Sequence, residues 1–188
     1  MAGSFRIFKA RAPRDAGLQD GEACYAIALG SNRSRSRRTT PEALIGAAMA
    51  ALDRSPLRLL AASATIGSAP VGPSRRRYAN AAAIIVTALD PPALLAHLKA
   101  LERGFGRRAG QRWGARTIDL DIILWSGGRW TRRDLHVPHR AFAERRFVLG
   151  PLATIAPRWR DPTTGRNVRH NLARAIRPKP VDPAGKRH

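Results

Sequence analysis

Cysteine is almost missing from this chain: Cys24 is the only one in 188 residues. An internal disulfide is excluded, and a disulfide-stapled scaffold with it, in keeping with a reducing compartment. Long apolar runs are absent too. The longest, around residues 79–89, falls well short of the ~18–20 residues that span a bilayer. No secretory leader with an apolar core and a cleavage site is recognisable, so a cytoplasmic protein is expected. Acidic residues are scarce, 13 against 34 basic ones, for a formal net charge of +21. Lysine is rarer still: Lys9, Lys99, Lys179 and Lys186 are all there are. The positive charge is therefore arginine, the side chain that grips phosphate oxygens in pairs. A surface this basic draws polyanions such as nucleotides or nucleic acid. Even so, arginines occur along the whole chain, and compositional drift accounts for part of the excess.

What is present fits one globular domain. The length suits a single core, and 44% of residues are hydrophobic. Residues 1–22 lack periodicity and read as a flexible N-terminal extension. Residues 23–160 form the expected domain, and 161–188 a loosely held basic tail. Within the domain, 23–29 is a strand that runs into Gly30, Ser31 and Asn32. Thr39 or Thr40, followed by Pro41 and Glu42, starts a helix. Residues 57–66 form a strand, and 78–89 a second long one. Asp90, Pro91 and Pro92 open another helix, which carries Leu94, Leu95, Leu98 and Leu101 on its stripe. A strand follows from 117, then a turn at residues 126–128 and a short edge strand at 129–131. A short helix at 141–145 and an apolar helical stretch at 147–155 complete the domain. The order strand–helix–strand–strand–helix–strand predicts a ferredoxin-like α+β sandwich, with a mainly antiparallel sheet and helices packed on it.

Two of the rare acids, Asp119 and Asp121, lie in the β-branched run Ile118 to Trp125. Strand side chains alternate between faces. Thr117, Asp119, Asp121 and Ile123 thus share one side, and Ile118, Leu120, Ile122 and Leu124 the other. The two carboxylates fall about 6–7 Å apart on one face. Such a pair is costly on a half-buried strand unless something positive lies between them, and a hard divalent cation, or a pair of them, fits that need. Arg112 and Arg116 just upstream suggest that a polyphosphate is held as well. An isolated Asp-x-Asp on a solvated edge would mean little; the setting gives it weight.

Together the motifs resemble the 6-hydroxymethyl-7,8-dihydropterin pyrophosphokinase family of folate biosynthesis. The matching pieces run in order: Leu29-Gly30-Ser31-Asn32, Pro70-Val71-Gly72-Pro73, Tyr78-Ala79-Asn80-Ala81, and Leu101-Glu102-Arg103 with Gly106-Arg107. The densest piece is Arg112-Trp113-Gly114-Ala115-Arg116-Thr117-Ile118-Asp119-Leu120-Asp121. Val137-Pro138-His139, Glu144-Arg145-Arg146-Phe147 and Pro151-Leu152 close the set.

The resemblance implies transfer of a pyrophosphoryl unit from ATP to the pterin hydroxymethyl group, with release of AMP. It implies two Mg²⁺ ions at Asp119 and Asp121, with Arg107 and Arg116 completing the catalytic set. Arg107, Arg108, Trp113, Arg116, His139, Arg145 and Glu102 are implied on the ATP side. Ser68, Val71, Tyr78, Asn80, Asp119 and Phe147 are implied around the pterin. Phosphoryl-type transfer runs on positioning and electrostatics, so the lack of a Ser/His/Asp arrangement is in keeping. A monomer acting on ATP and the pterin, away from membranes, is expected. The competing readings are a basic nucleic-acid-binding protein on the same fold and a catalytically inactive relative. No aromatic-rich strand supports the first, and the retained Asp119, Asp121, Arg116 and His139 argue against the second. The sequence departs from the family in the arginine-rich loop 33–38 and at Arg140.

Overall fold

The computed structural model describes residues 17–32, 40–68, 78–106 and 118–177. In chain order the elements are β1 (Ala23–Ser31), α1 (Pro41–Ala51), β2 (Arg58–Ala62), β3 (Ile66–Ser68), β4 (Tyr78–Thr87) and α2 (Pro91–Gly104). Then come β5 (Asp119–Trp125), β6 (Trp130–Arg132), β7 (Leu135–Val137), α3 (Arg146–Ile155) and α4 (Val168–Ile176). The main sheet has the order β2-β4-β1-β5, with β3 extending the β4 edge. All its pairings are antiparallel. This is the expected α+β arrangement.

Local chemistry starts each helix where the sequence suggests. The Thr40 hydroxyl accepts the Ala43 N–H ahead of Pro41, and the Asp90 carboxylate accepts the Ala93 N–H ahead of Pro91. Each cap satisfies an N–H that the first turn leaves without a helical partner. The amphipathic faces then close on the sheet from both sides. Ile45 and Met49 of α1, its capping residue Leu52, and Leu94 and Leu98 of α2 pack on Tyr25, Ile27, Leu29, Ala83, Ile85 and Leu120. Leu149, Leu152 and Ile155 of α3, with Val168 of α4, cover Ala26, Ala82, Ile84 and Val86 on the opposite face. Each such aliphatic side chain contributes about 1.5–3 kcal/mol on full burial. Small residues on β1 and β4 let the two helical layers approach closely.

Three expectations need correction. The strand expected over 57–66 is broken. β2 ends at Ala62, and Ser63 turns the chain by donating its N–H to the Ala82 carbonyl (2.9 Å) and accepting the Ala82 N–H on Oγ (2.9 Å). The segment at 129–131 does not extend the main sheet but pairs as β6 with β7 in a separate two-stranded sheet. Residues 161–177 are not loosely held. Asp161, 3% exposed, accepts the Thr163 N–H and the Thr164 hydroxyl, both at 2.8 Å. Asn167 then caps α4, which buries Val168. Polar residues there build a turn and a cap, so the segment reads as tail only if its few apolar anchors, Val168, Leu172 and Ala175, are overlooked.

The far end of β5 is locked by aromatics. The Trp125 ring stacks on Tyr25 at 6.2 Å and meets Trp130 edge-on at 6.0 Å. A Cβ placed on Gly127 would clash with the Trp125 ring. Gly127→Ala is therefore expected to lower stability by about 1–3 kcal/mol through overpacking. Urea unfolding measures this. The other end of β5, about 20 Å away, should keep its ligand affinity.

Candidate functional site

Asp119 and Asp121 do fall on one face of β5, the face covered by α3. Among the described residues β5 pairs only with β1 in the main sheet, with Asp119 opposite Gly30 and Asp121 opposite Ala28. Gly30 in turn pairs with Asn80 of β4, and Ala28 with Ala82. Directly opposed residues point to the same side. One row across the sheet thus reads Asp119, Gly30, Asn80, and the next reads Asp121, Ala28, Ala82. The central positions carry almost no side chain. A cleft of about 490 Å³ opens over them, within the size range of small-ligand sites.

Its lining includes Gly30, Tyr78, Asn80, Asp119, Asp121, Arg145 and Phe147. The carboxylates form one wall, and Tyr78 and Asn80 at the start of β4 form another. Phe147 enters from the first turn of α3. Arg145 immediately precedes that helix, its guanidinium 5.9 Å from the Phe147 ring, within cation–π range. Asn80 lines the cleft and is only 6% exposed.

A β-bulge shapes the rest. Ile27 faces Ile122 while Ala26 faces Leu124, so Ile123 is one residue extra on β5. Ile123 and Leu124 therefore both turn toward α3, and Leu124 does not share a core with Leu120 as strict alternation predicts. Bulges re-aim side chains and backbone groups. Here the Ile123 carbonyl accepts the His139 N–H at 3.0 Å. His139 is half-buried, and its Nδ1 accepts the Ala141 N–H at 3.2 Å. A neutral ring with Nδ1 so occupied carries its proton on Nε2. Burial pushes the His139 pKa below its usual value, and the Arg145 charge adds to this, while Asp121 opposes it. Asp121, His139 and Arg145 are thus within electrostatic reach of one another.

Of the residues implied by sequence, Tyr78, Asn80, Asp119, Asp121, Arg145 and Phe147 come together in the cleft lining, with His139 within electrostatic reach of Asp121. Ser68 lies opposite Tyr78 in the β3–β4 pairing. Val71, Arg107, Arg108, Trp113 and Arg116 fall outside the described residues. Glu102 sits fully buried on the α2 side of β5, where its carboxylate accepts the Leu120 N–H. Gly30 and Ala28 were not singled out from sequence as site residues. The signal was there: a strand ending in small residues beside one that carries two acids.

Among the described residues no three His, Cys, Asp or Glu side chains gather as a metal cage. Two carboxylates on one wall of an open cleft fit a hard cation all the same. Magnesium is commonly held by one or two carboxylates plus the oxygens of a bound polyphosphate.

Comparison with known proteins decides the kinship. Residues 26–157 match the family model described as 7,8-dihydro-6-hydroxymethylpterin-pyrophosphokinase, HPPK. The chain belongs to this family. Proteins named 2-amino-4-hydroxy-6-hydroxymethyldihydropteridine pyrophosphokinase are similar to it. The Pseudomonas aeruginosa protein is 42% identical over 149 residues, 78% of this chain and 88% of its own length. That of Haemophilus influenzae is 39% identical over 132 residues, 69% of this chain and 79% of its own. The match to the Synechocystis protein, 41% identical, spans 52% of this chain and half of that relative. Among solved structures, a wild-type Plasmodium falciparum HPPK-DHPS chain superposes with a TM-score of 0.65 at 12% identity. It covers 82% of this chain and 41% of that one, and supports the fold alone. The homologues of this HPPK chain support pyrophosphate transfer from ATP to hydroxymethyldihydropterin in folate biosynthesis. Helix α4 lies beyond the matched span.

Two outcomes are expected. A Cβ on Gly30 would meet only Asn80 Oδ1, at an ordinary 3.6 Å, yet it would project into the cleft. Gly30→Val should melt within a few degrees of wild type while losing about tenfold or more in pterin affinity, or ~1.4 kcal/mol; calorimetric titration measures the loss. The second outcome concerns pH. With its folded pKa below the usual 6.5, His139 takes up its proton more readily in the unfolded chain. Its contribution to stability is complete above pH 6.5 and is lost as pH falls through the folded value. His139→Gln should flatten that acid limb in urea titrations at stepped pH.

Proposed function

We propose that the cleft is where this HPPK chain holds the dihydropterin and the triphosphate of ATP, and that Asp119 and Asp121 hold magnesium there. The observation that carries the reading is the shared row of Asp119, Gly30 and Asn80. It sets an anionic wall and an amide edge on either side of a bare strip of sheet. The bare strip admits a flat ring. Tyr78 and Phe147 supply aromatic faces for it, and Asn80 supplies hydrogen bonds to its amide-like edge.

Magnesium bound at the carboxylates would neutralise phosphate charge as the pterin hydroxyl attacks the β-phosphorus. The chain's own residues position the rest. Arg145, at the start of α3, offers a bidentate grip to phosphate oxygens. His139, neutral and protonated on Nε2, donates a hydrogen bond without adding full charge. Arg107, Arg108, Arg116 and Trp113 complete the phosphate side on the family pattern, with Val71 and Ser68 on the pterin side. No covalent intermediate on the protein is needed, because in-line transfer depends on alignment and charge stabilisation. A cytoplasmic monomer fits the family's role in folate biosynthesis, and no helix among the described residues is long and apolar enough to cross a membrane.

The test is product analysis. Incubated with ATP, Mg²⁺ and the reduced pterin, the protein should release AMP in step with pterin diphosphate; ADP release, or no pterin-dependent turnover, would contradict the reading. Asp121→Ala should remain folded and lose on the order of 10²–10³-fold in kcat, the scale seen when one preorganised electrostatic group is removed.

A further inference from the structure

Resting on that reading of the cleft, we infer that Glu102 is the positioning residue for the two carboxylates, acting through the backbone of β5. Among the described residues β5 is the edge strand of the main sheet, paired on one side only. Every second N–H on such an edge points away from its partner strand and has no ladder acceptor. Leu120, the residue between Asp119 and Asp121, is one of these. Its N–H is met instead by Glu102 Oε1 at 2.8 Å. The same oxygen takes the Lys99 ammonium at 2.7 Å. Glu102 is 0% exposed and sits near the C-terminal end of α2, where the helix dipole disfavours a negative charge. Burying a carboxylate there is expensive, and an apolar side chain would fill the space more cheaply. What a leucine could not do is accept a hydrogen bond from the strand edge.

The consequence is geometric. Leu120 points into the core beneath the sheet, while its two neighbours point into the cleft. Pinning its amide fixes the pleat on which both carboxylates stand. Both carboxylates must stand on the same side of this edge for a cation to meet them together. Holding them beforehand removes a reorganisation cost from cation binding. Glu102 thus serves the site from the far side of the sheet, outside the described cleft lining. Its reach matters, not its charge.

Two substitutions separate reach from charge. Glu102→Gln keeps the length and an oxygen acceptor for Leu120 but removes the charge. Glu102→Asp keeps the charge but withdraws the oxygen by about 1.5 Å, one carbon–carbon bond. Three quantities are read on each folded protein: Mg²⁺ concentration at half-maximal activity, hydrogen exchange of the Leu120 amide without nucleotide, and pterin affinity. Glu102→Asp should raise the Mg²⁺ requirement at least tenfold and speed Leu120 exchange at least tenfold, with pterin affinity within twofold. Glu102→Gln should stay within threefold of wild type throughout. The reverse order, Gln impaired and Asp intact, would overturn the inference in favour of a charge effect. Faster Leu120 exchange with an unchanged Mg²⁺ requirement would also overturn it, as would an equal loss of pterin affinity. A wild-type protein indifferent to Mg²⁺ would remove the reading of the cleft itself, and the inference with it; that failure is visible before any substitution is made.

Discussion

Two carboxylates on the same face of an edge strand impose the constraint around which this site is organised. Asp119 and Asp121 repel each other, yet they stand where the sheet is least supported. The structure answers on both sides of β5. Beneath it, Glu102 accepts the Leu120 N–H, which no strand among the described residues takes. Above it, the cleft floor is cleared by Ala28 and Gly30. Positive charge and a neutral imidazole then approach from Arg145 and His139, at the start of α3 and just after β7.

The bulge at Ile123 joins these parts. It ends strict alternation two residues beyond Asp121, turning Ile123 and Leu124 into the core below α3. It also presents a carbonyl to His139. The same irregularity that disturbs the strand pattern therefore anchors the histidine beside the carboxylate. Helix α3 needs that core to sit where it does, and its first turn carries Phe147 over the cleft. Sheet register, bulge and helix placement are one connected arrangement.

Much of this was legible in the chain. Period-two alternation put both acids on one face, and the Thr40 and Asp90 caps marked the helices. Tyr78 and Phe147 read alone as core aromatics; only the ordered motifs moved them to the site. The bulge left no trace, because Ile122, Ile123 and Leu124 are apolar whichever way they point. The break between β2 and β3 depends on the Ser63 hydroxyl bonding across to Ala82, which periodicity does not register. Glu102 was legible in principle. Leu94, Leu98 and Glu102 are spaced by four on α2 and so share its buried face, but a charged residue is normally assigned to solvent. Helix α4 was missed because short polar residues build the turn that leads into it.

The central claim is that Asp119 and Asp121 hold divalent cations together with a nucleotide's phosphates. Its most direct test is anomalous diffraction from crystals grown with manganese, a non-hydrolysable ATP analogue and the pterin. The account predicts strong manganese peaks within direct coordination distance of both carboxylates, ~2.0–2.2 Å for a small hard cation, with phosphate oxygens completing the shell. Bound nucleotide with manganese elsewhere, and both carboxylates free of it, would contradict the account.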